Sequence, residues 1–168
     1  VADAKLSRVI AQKLDEYRAK NVVVDPVMVA TSGARLISED AVEALVSLLL
    51  PRAAIITPNI PEAEVLADMA ITDRKSMTAA AARIYERAHT AVLMKGGHCV
   101  DDANDLLVDG NGARWFEGRR IATANTHGTG CTFSACLTAE LAKGESVEAA
   151  IRTAKQCITA AISQPINI

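Results

Sequence analysis

Aromatic side chains are nearly missing from this chain: one Trp, two Tyr and two Phe make up 3% of its 168 residues. A core built on stacked rings is excluded, so the hydrophobic half of the sequence must pack through Ala, Val, Leu and Ile. An excess of positive charge is missing too. Eighteen Lys and Arg against twenty Asp and Glu leave a net charge of −2, which excludes a bulk basic surface for nucleic acid or anionic membrane. Nor is any apolar run long enough to span a bilayer. No secretory signal is read, although a chain that opens directly in a helical pattern at Val1 would hide one upstream. The four cysteines, Cys99, Cys131, Cys136 and Cys157, lack C-x-x-C spacing and lie in largely apolar segments. Reduced thiols in a cytoplasm are expected, not a disulfide framework or a zinc site, with Cys136 and Cys157 on core helix faces.

What is present alternates between two periods. Residues 2–20 carry Leu6, Val9, Ile10, Leu14 and Tyr17 at helical spacing, ending near Asn21. Residues 22–24, 53–57 and 91–95 are short apolar runs of the kind buried on both faces of a parallel sheet. Helices are expected between them, from Ser38 as N-cap to Leu50 with Pro51 closing it, from Asn59 as N-cap, and over 76–88. A hairpin follows over 105–117, turning at Gly110-Asn111-Gly112, as an edge feature. A last short strand is expected over 120–122, then helices over 131–143 and from Ser146, the latter with Val147, Ala150, Ile151, Ala154, Ile158, Ala161 and Ile162 on its core face. Strand and helix in alternation predict a doubly wound α/β domain. No repeat or linker divides it, so 1–168 reads as a single domain.

The stretch Thr126-His127-Gly128-Thr129-Gly130-Cys131-Thr132-Phe133-Ser134 joins a glycine turn to a helix start. Gly128 and Gly130 permit left-handed angles and close approach, and the helix offers unpaired N–H groups and its positive dipole end. An anion such as phosphate is the expected guest, with Thr129, Thr132 and Ser134 adding hydroxyls. The dipole should favour a thiolate at Cys131. A plain chain-reversing turn fits the same residues. Other positions admit paired readings. Asp25 closes the first strand as a metal or phosphate-site acid or as a turn-forming Asp-Pro. Glu62 completes a helix cap or also holds a metal-bound water. Lys95 is a phosphate-side cation or a solvated strand end, and His98 reads as a loop residue. Lys155 either snorkels at the surface or reaches back to the phosphate turn.

Four segments in order, VVVDPVMVATSG (22–33), ITPNIPEAEVL (56–66), VLMKGGH (92–98) and THGTGCTFSA (126–135), make the chain resemble the hydroxymethylpyrimidine/phosphomethylpyrimidine kinases of thiamine biosynthesis, in the ribokinase-like superfamily. The resemblance covers essentially the whole chain. It implies a three-layer αβα fold with a mostly parallel central sheet, and ATP-dependent phosphorylation of a pyrimidine and its monophosphate to the diphosphate, with Mg2+. It further implies that Gly128, Thr129, Gly130 and Cys131 form the anion hole, with Cys131 in the base position. Glu62 would organise Mg2+ and its waters, and Asp25, Lys95 and Lys155 would surround the ATP phosphates. Val27 matches a residue lining the pyrimidine pocket. Relatives outside this branch, many pyridoxal kinases among them, place Asp where this chain has Cys131.

By the same resemblance an N-terminal third and a glycine-containing tail lie outside these residues, leaving the acceptor pocket incomplete. The expected partners are a small-molecule pyrimidine and a second copy of the chain in a homodimer, with no nucleic acid and no membrane. The alternatives are a pyridoxal kinase, another ribokinase-like small-molecule kinase, or a truncated, non-catalytic nucleotide-binding module.

Overall fold

In the computed structural model the described residues are 3–28, 37–96, 103–121 and 128–164. Ser32, Gly33, Gly97, His98, Cys99, Ala122, Thr126 and His127 lie outside them. The first helix, α1 (Ala4–Glu16), starts where the Asp3 carboxylate accepts the Lys5 amide and stops before the left-handed Arg18 and Asn21. It is therefore shorter than its apolar spacing predicts. Its buried face is the small one, Ala4, Ser7 and Ala11, with Ile10 and Leu14 packed alongside, while Leu6 and Val9 stay half-exposed.

The strand β1 (Val23–Val24) leads, through segments partly outside the described residues, to α2 (Glu39–Ala44). The single helix expected from Ser38 to Leu50 is not one α-helix. It widens into a π-helical turn over Leu45–Leu49 and tightens into a 3-10 turn over Leu50–Arg52. Pro51 has no N–H to continue an α-helical ladder, and the change of pitch leaves Leu45, Leu49 and Leu50 all buried. Ser38 precedes α2, but its hydroxyl bonds to the Asp40 carboxylate instead of capping the backbone. Then come β2 (Ile55–Ile56), α3 (Ile60–Ala67), α4 (Arg74–Ala88) and β3 (Ala91–Met94). Both α3 and α4 open on reciprocal capping boxes, Asn59 with Glu62 and Asp73 with Ser76.

Among the described residues β1, β2, β3, β4 (Asp105–Asp109) and β5 (Gly112–Phe116) form one sheet in that order. The first three are parallel, and the hairpin adds β4 antiparallel to β3 and β5 antiparallel to β4. Hence β1, β2, β3 and β5 share a direction. The hairpin is an edge only through β5, since β4 is interior and buried. Arg120 and Ile121 lie in no strand.

The pleat sorts the core into two layers. Ile56, Val92, Met94, Leu106 and Val108 face a cluster with Ala41, Leu45, Ala63, Leu66, Met77 and Ile84. Ile55, Leu93 and Leu107 face the opposite way, onto α5 (Thr129–Ala142) and α6 (Val147–Ser163), through Phe133, Leu137, Leu141, Ala150, Ile151 and Ala154. Helices thus cover both faces, the expected αβα sandwich. On α6 the core stripe ends early, because Ala161 is exposed, and Cys157 is exposed as well instead of lying on a core face.

A polar tie fixes α6 to the sheet. Lys155 Nζ lies 2.6 Å from Asp105 Oδ2 and donates to the Ala103 carbonyl at 2.7 Å, while Asp105 Oδ1 accepts the Gly96 amide at 3.0 Å. Burial pushes the Asp105 carboxyl above the usual carboxylate range, and Lys155 is the main group pulling it back. Lys155→Met would leave that carboxylate buried beside β3 without its cation, so it should cost roughly 3 kcal/mol, the low end of the range for breaking a buried pair. Adding Asp105→Asn should recover part of the loss. Urea unfolding of the two variants measures both effects, and an unchanged midpoint for Lys155→Met would show that the pair does not hold the fold.

Candidate functional site

Parallel strands deliver their carboxyl ends to one edge of the sheet, where α/β proteins bind ligands. The register sets Val24 beside Ile56 and Ile56 beside Val92, so Asp25, Thr57 and Lys95 emerge there from β1, β2 and β3. Lys95 is held in place by its amide, which donates to the Pro58 carbonyl at 2.8 Å, and by a parallel bridge to Asn59. Its ammonium meets Asp25 Oδ1 at 2.8 Å, with both side chains more than four-fifths buried. Thr57, fully buried, donates its hydroxyl to the same Asp25 oxygen at 3.1 Å.

The start of α5 closes on this group. Gly128 occupies the N-cap with φ 77° and contributes no side-chain cap. A β-carbon there would meet nothing within 4 Å, so the left-handed backbone alone is what calls for glycine. Gly130 differs from expectation: it has no positive φ and lies inside α5. A β-carbon there would make ordinary contact, 3.5 Å from Lys95 Nζ and 3.7 Å from Asp25 Oδ2, so this turn of α5 faces the pair directly and only a larger side chain would press on it. The helical ladder begins with Thr132 N–H to the Gly128 carbonyl at 2.9 Å, so the Gly130 and Cys131 amides lie ahead of it at the positive end of the dipole. Cys131 is exposed.

Two of the hydroxyls expected to face an anion are turned elsewhere. Thr132 Oγ1 donates to the Gly128 carbonyl at 2.9 Å, and Ser134 Oγ donates to the Gly130 carbonyl at 3.1 Å. Ser134 Oγ also lies 3.3 Å from Thr57 Oγ1. Polar contacts therefore run from Asp25 through Thr57 and Ser134 to the first turn of α5, with the two hydroxyl protons shared among three contacts. In the sequence Thr57 reads only as a strand end; the signal for more is a hydroxyl at the last position of an otherwise aliphatic run.

Glu62 sits at the other side of Lys95. It is 2% exposed, and Oε2 accepts the Asn59 amide at 2.9 Å while Asn59 Oδ1 accepts the Glu62 amide at 2.9 Å. The capping reading is thus realised, and it places the carboxylate within electrostatic reach of Lys95 and Asp25. Burial raises the Glu62 carboxyl above the ordinary range; the Asn59 amide and Lys95 oppose that shift, and Asp25 reinforces it.

The remaining predicted residues lie further out. Lys155 pairs with Asp105, whose charge also feels Lys95, and it lines a groove of about 470 Å3 with Phe116, Gly118, Arg119, Arg152 and Thr159. Val27 is exposed and lines a separate cavity of about 240 Å3 between β1 and the helices, with Asp25, Ile10, Leu14, Leu45 and Leu49. The structure therefore gathers Asp25, Glu62, Lys95 and the turn from Gly128 to Cys131 in one place, with Lys155 and Val27 on its flanks. Among the described residues no three His, Cys, Asp or Glu side chains group to ligate a metal.

Residues 1–168 match the phosphomethylpyrimidine kinase family along their full length. A hydroxymethylpyrimidine/phosphomethylpyrimidine kinase of Haemophilus influenzae is 46% identical over 173 residues, covering 100% of this chain and 64% of the relative. The crystal structure of a phosphomethylpyrimidine kinase from Clostridium difficile superposes with a TM-score of 0.84 at 36% identity, over 96% of this chain and 66% of that one. A pyridoxal kinase from Staphylococcus aureus, in complex with AMP-PCP, gives 0.90 at 30% identity, over 99% and 62%. The chain spans just under two thirds of the length of these proteins. With the αβα sandwich, the helix start beside Lys95 and the full-length family match together, the chain belongs to the phosphomethylpyrimidine kinase family, of ribokinase-like fold.

Proposed function

We propose that this chain, as a single ribokinase-like domain, carries ATP-dependent phosphoryl transfer to hydroxymethylpyrimidine and its monophosphate, giving the diphosphate used in thiamine biosynthesis. The observation that carries the reading is the helix N-terminus packed against the Lys95–Asp25 pair. Phosphoryl transfer asks for positioning and charge neutralisation more than covalent chemistry, and a helix start with an adjacent ammonium supplies both. The names of the related kinases, one of them bound to an ATP analogue, support ATP as the phosphoryl donor.

In this reading the acceptor oxygen, which is the hydroxymethyl oxygen of the alcohol or a phosphate oxygen of the monophosphate, attacks the γ-phosphorus, the P–O bond to ADP breaks, and ADP leaves with the electron pair. Gly128, Thr129, Gly130 and Cys131 surround the transferring group, and Cys131 Sγ takes the acceptor's proton. Lys95 offsets phosphate charge, and Asp25, locked by Thr57, holds Lys95 in position. The groove with Arg119, Arg152 and Lys155 supports a nucleotide lying along α6, with Lys155 steadied by Asp105. Val27, exposed beside Asp25, faces the acceptor side. Bound Mg2+ would neutralise charge on the nucleotide's phosphates. Glu62 fits it only through water, because its carboxylate already holds the Asn59 amide and no three-group cage forms among the described residues; Mg2+ keeps much of its hydration in such sites. Among the described residues β1 is the outermost strand of the sheet and three thiols are free, which supports a homodimer and a cytoplasmic setting.

Acceptor choice decides the reading. In a coupled ADP-release assay on protein containing these residues, both pyrimidines should be turned over at least about tenfold more efficiently than pyridoxal, and Cys131→Ala should lower kcat far more than it raises KM for ATP. A preference for pyridoxal would make the chain a pyridoxal kinase; AMP-PCP binding with no turnover would leave a nucleotide-binding module. Gly130→Val should weaken AMP-PCP binding by about tenfold or more, because its branched side chain pushes on Lys95 and Asp25, while circular dichroism stays unchanged. Equal affinity would remove this turn from the phosphate site.

Glu62 gives a pH signature. Its folded-state pKa is raised above the ordinary value of 4.5, so the native state binds protons more readily and loses stability as pH rises past 4.5 and through the raised value. Glu62→Gln should therefore melt higher than wild type at pH 7 and converge with it below pH 4.5, while Mg2+-dependent turnover falls. Parallel melting curves at all pH values would show that the carboxylate carries no burial cost.

A further inference from the structure

Away from the sheet edge, α5 and α6 bring together two thiols that phosphoryl transfer does not use. Cys136 Sγ and Cys157 Sγ lie 3.3 Å apart, on residues 21 positions apart in the chain. Both are free thiols. Cys136 is half-buried and packs against the α5–α6 core, whereas Cys157 is exposed, so burial does not account for a cysteine at 157. A cystine bond is about 2.05 Å long. Closing the remaining gap of roughly 1.2 Å is within the reach of side-chain rotation between two helices joined by a short turn.

We propose that Cys136 and Cys157 form an oxidation site in which a hydroperoxide converts the dithiol to an intramolecular disulfide that staples α5 to α6. The order of events follows from the contact. Cys136 donates its S–H to Cys157, leaving the accepting, exposed sulfur to meet the oxidant. The hydrogen bond to Cys157 and then burial raise the Cys136 thiol, which suits the second, resolving role. Cys157 thiolate attacks one peroxide oxygen, the O–O bond breaks, and hydroxide or alkoxide leaves and takes a proton; the product is a sulfenic acid. Cys136 thiolate then attacks that sulfur, the S–S bond forms, the S–O bond breaks, and the departing hydroxide is protonated to water. The two thiols lose two electrons and two protons, and hydrogen peroxide becomes two waters.

The pair lies five residues beyond Cys131 on α5 and two beyond Lys155 on α6, and neither thiol belongs to the phosphate-binding group. The test treats protein containing these residues with hydrogen peroxide, blocks remaining thiols with iodoacetamide, and maps peptides by mass spectrometry without reduction. The Cys136–Cys157 peptide should be the main cross-link. Its formation should raise the melting temperature by about 5 °C, reversibly with dithiothreitol. Cys136→Ser should show no rise and should leave Cys157 as a sulfenic acid that dimedone captures; Cys157→Ser should show neither the rise nor a comparable adduct at Cys136. Finding both thiols alkylated after peroxide, or paired mainly with Cys99, Cys131 or another molecule, would overturn the site. A 136–157 cross-link with no change in melting would overturn the staple.

Discussion

The ion pair between Lys95 and Asp25 is the contact on which the site's arrangement depends. It crosses the carboxyl edge of the sheet from β3 to β1 at 2.8 Å, and the Thr57 hydroxyl between them, on β2, binds the same carboxylate oxygen. Three strands are thereby fixed in relative height, and through Ser134 the first turn of α5 is fixed to them. A partly desolvated pair of this kind gains little net stability unless its spare lone pairs are satisfied. Its value here is geometric. Lys95 pairs with Asp25, its amide is held by the Pro58 carbonyl, and its charge is felt at Glu62 and Asp105, while the start of α5 stands beside it.

The acidic groups around this cation are held at a cost in stability. Burial pushes both Glu62 and Asp105 upward, which means that ionising each of them costs the folded state stability. Each carboxylate is nevertheless supplied with partners: a capping amide for Glu62, and the Gly96 amide with Lys155 for Asp105. That pattern fits a preorganised electrostatic site, in which the fold orders charges before a ligand arrives, better than a set of surface ion pairs that solvent would screen.

The αβα sandwich has two unequal helical layers, and the site draws on both. One layer, with α3, supplies Glu62 through a cap that would exist in any helix opening on Asn-x-x-Glu. The other, α5 with α6, supplies the glycine turn and Lys155, and the small residues of its interface set how closely those helices pack on Ile55, Leu93 and Leu107. The same close packing brings Cys136 within 3.3 Å of Cys157.

Much of this was determined by the sequence alone. Runs such as Ile55-Ile56 and Val92-Leu93-Met94 can be buried on both faces only in a covered sheet, and Asn59 with Glu62 writes its own helix cap, because these depend on local periodicity and hydrogen bonding. The glycine turn likewise announced a helix start. Tertiary structure decided what local signals do not encode. The helix after Ser38 changes pitch because three leucines must meet one core and Pro51 cannot donate. Gly130 lies inside α5 and faces Lys95 and Asp25 at contact distance, so what matters there is its neighbours and not a left-handed backbone. Lys155 reaches Asp105, fifty residues away in the chain, and Thr57 becomes a link between strands and α5. Each of these rests on groups that the sheet register and helix packing bring together across long sequence separations, and no pattern within a single segment specifies which distant partner a side chain will find.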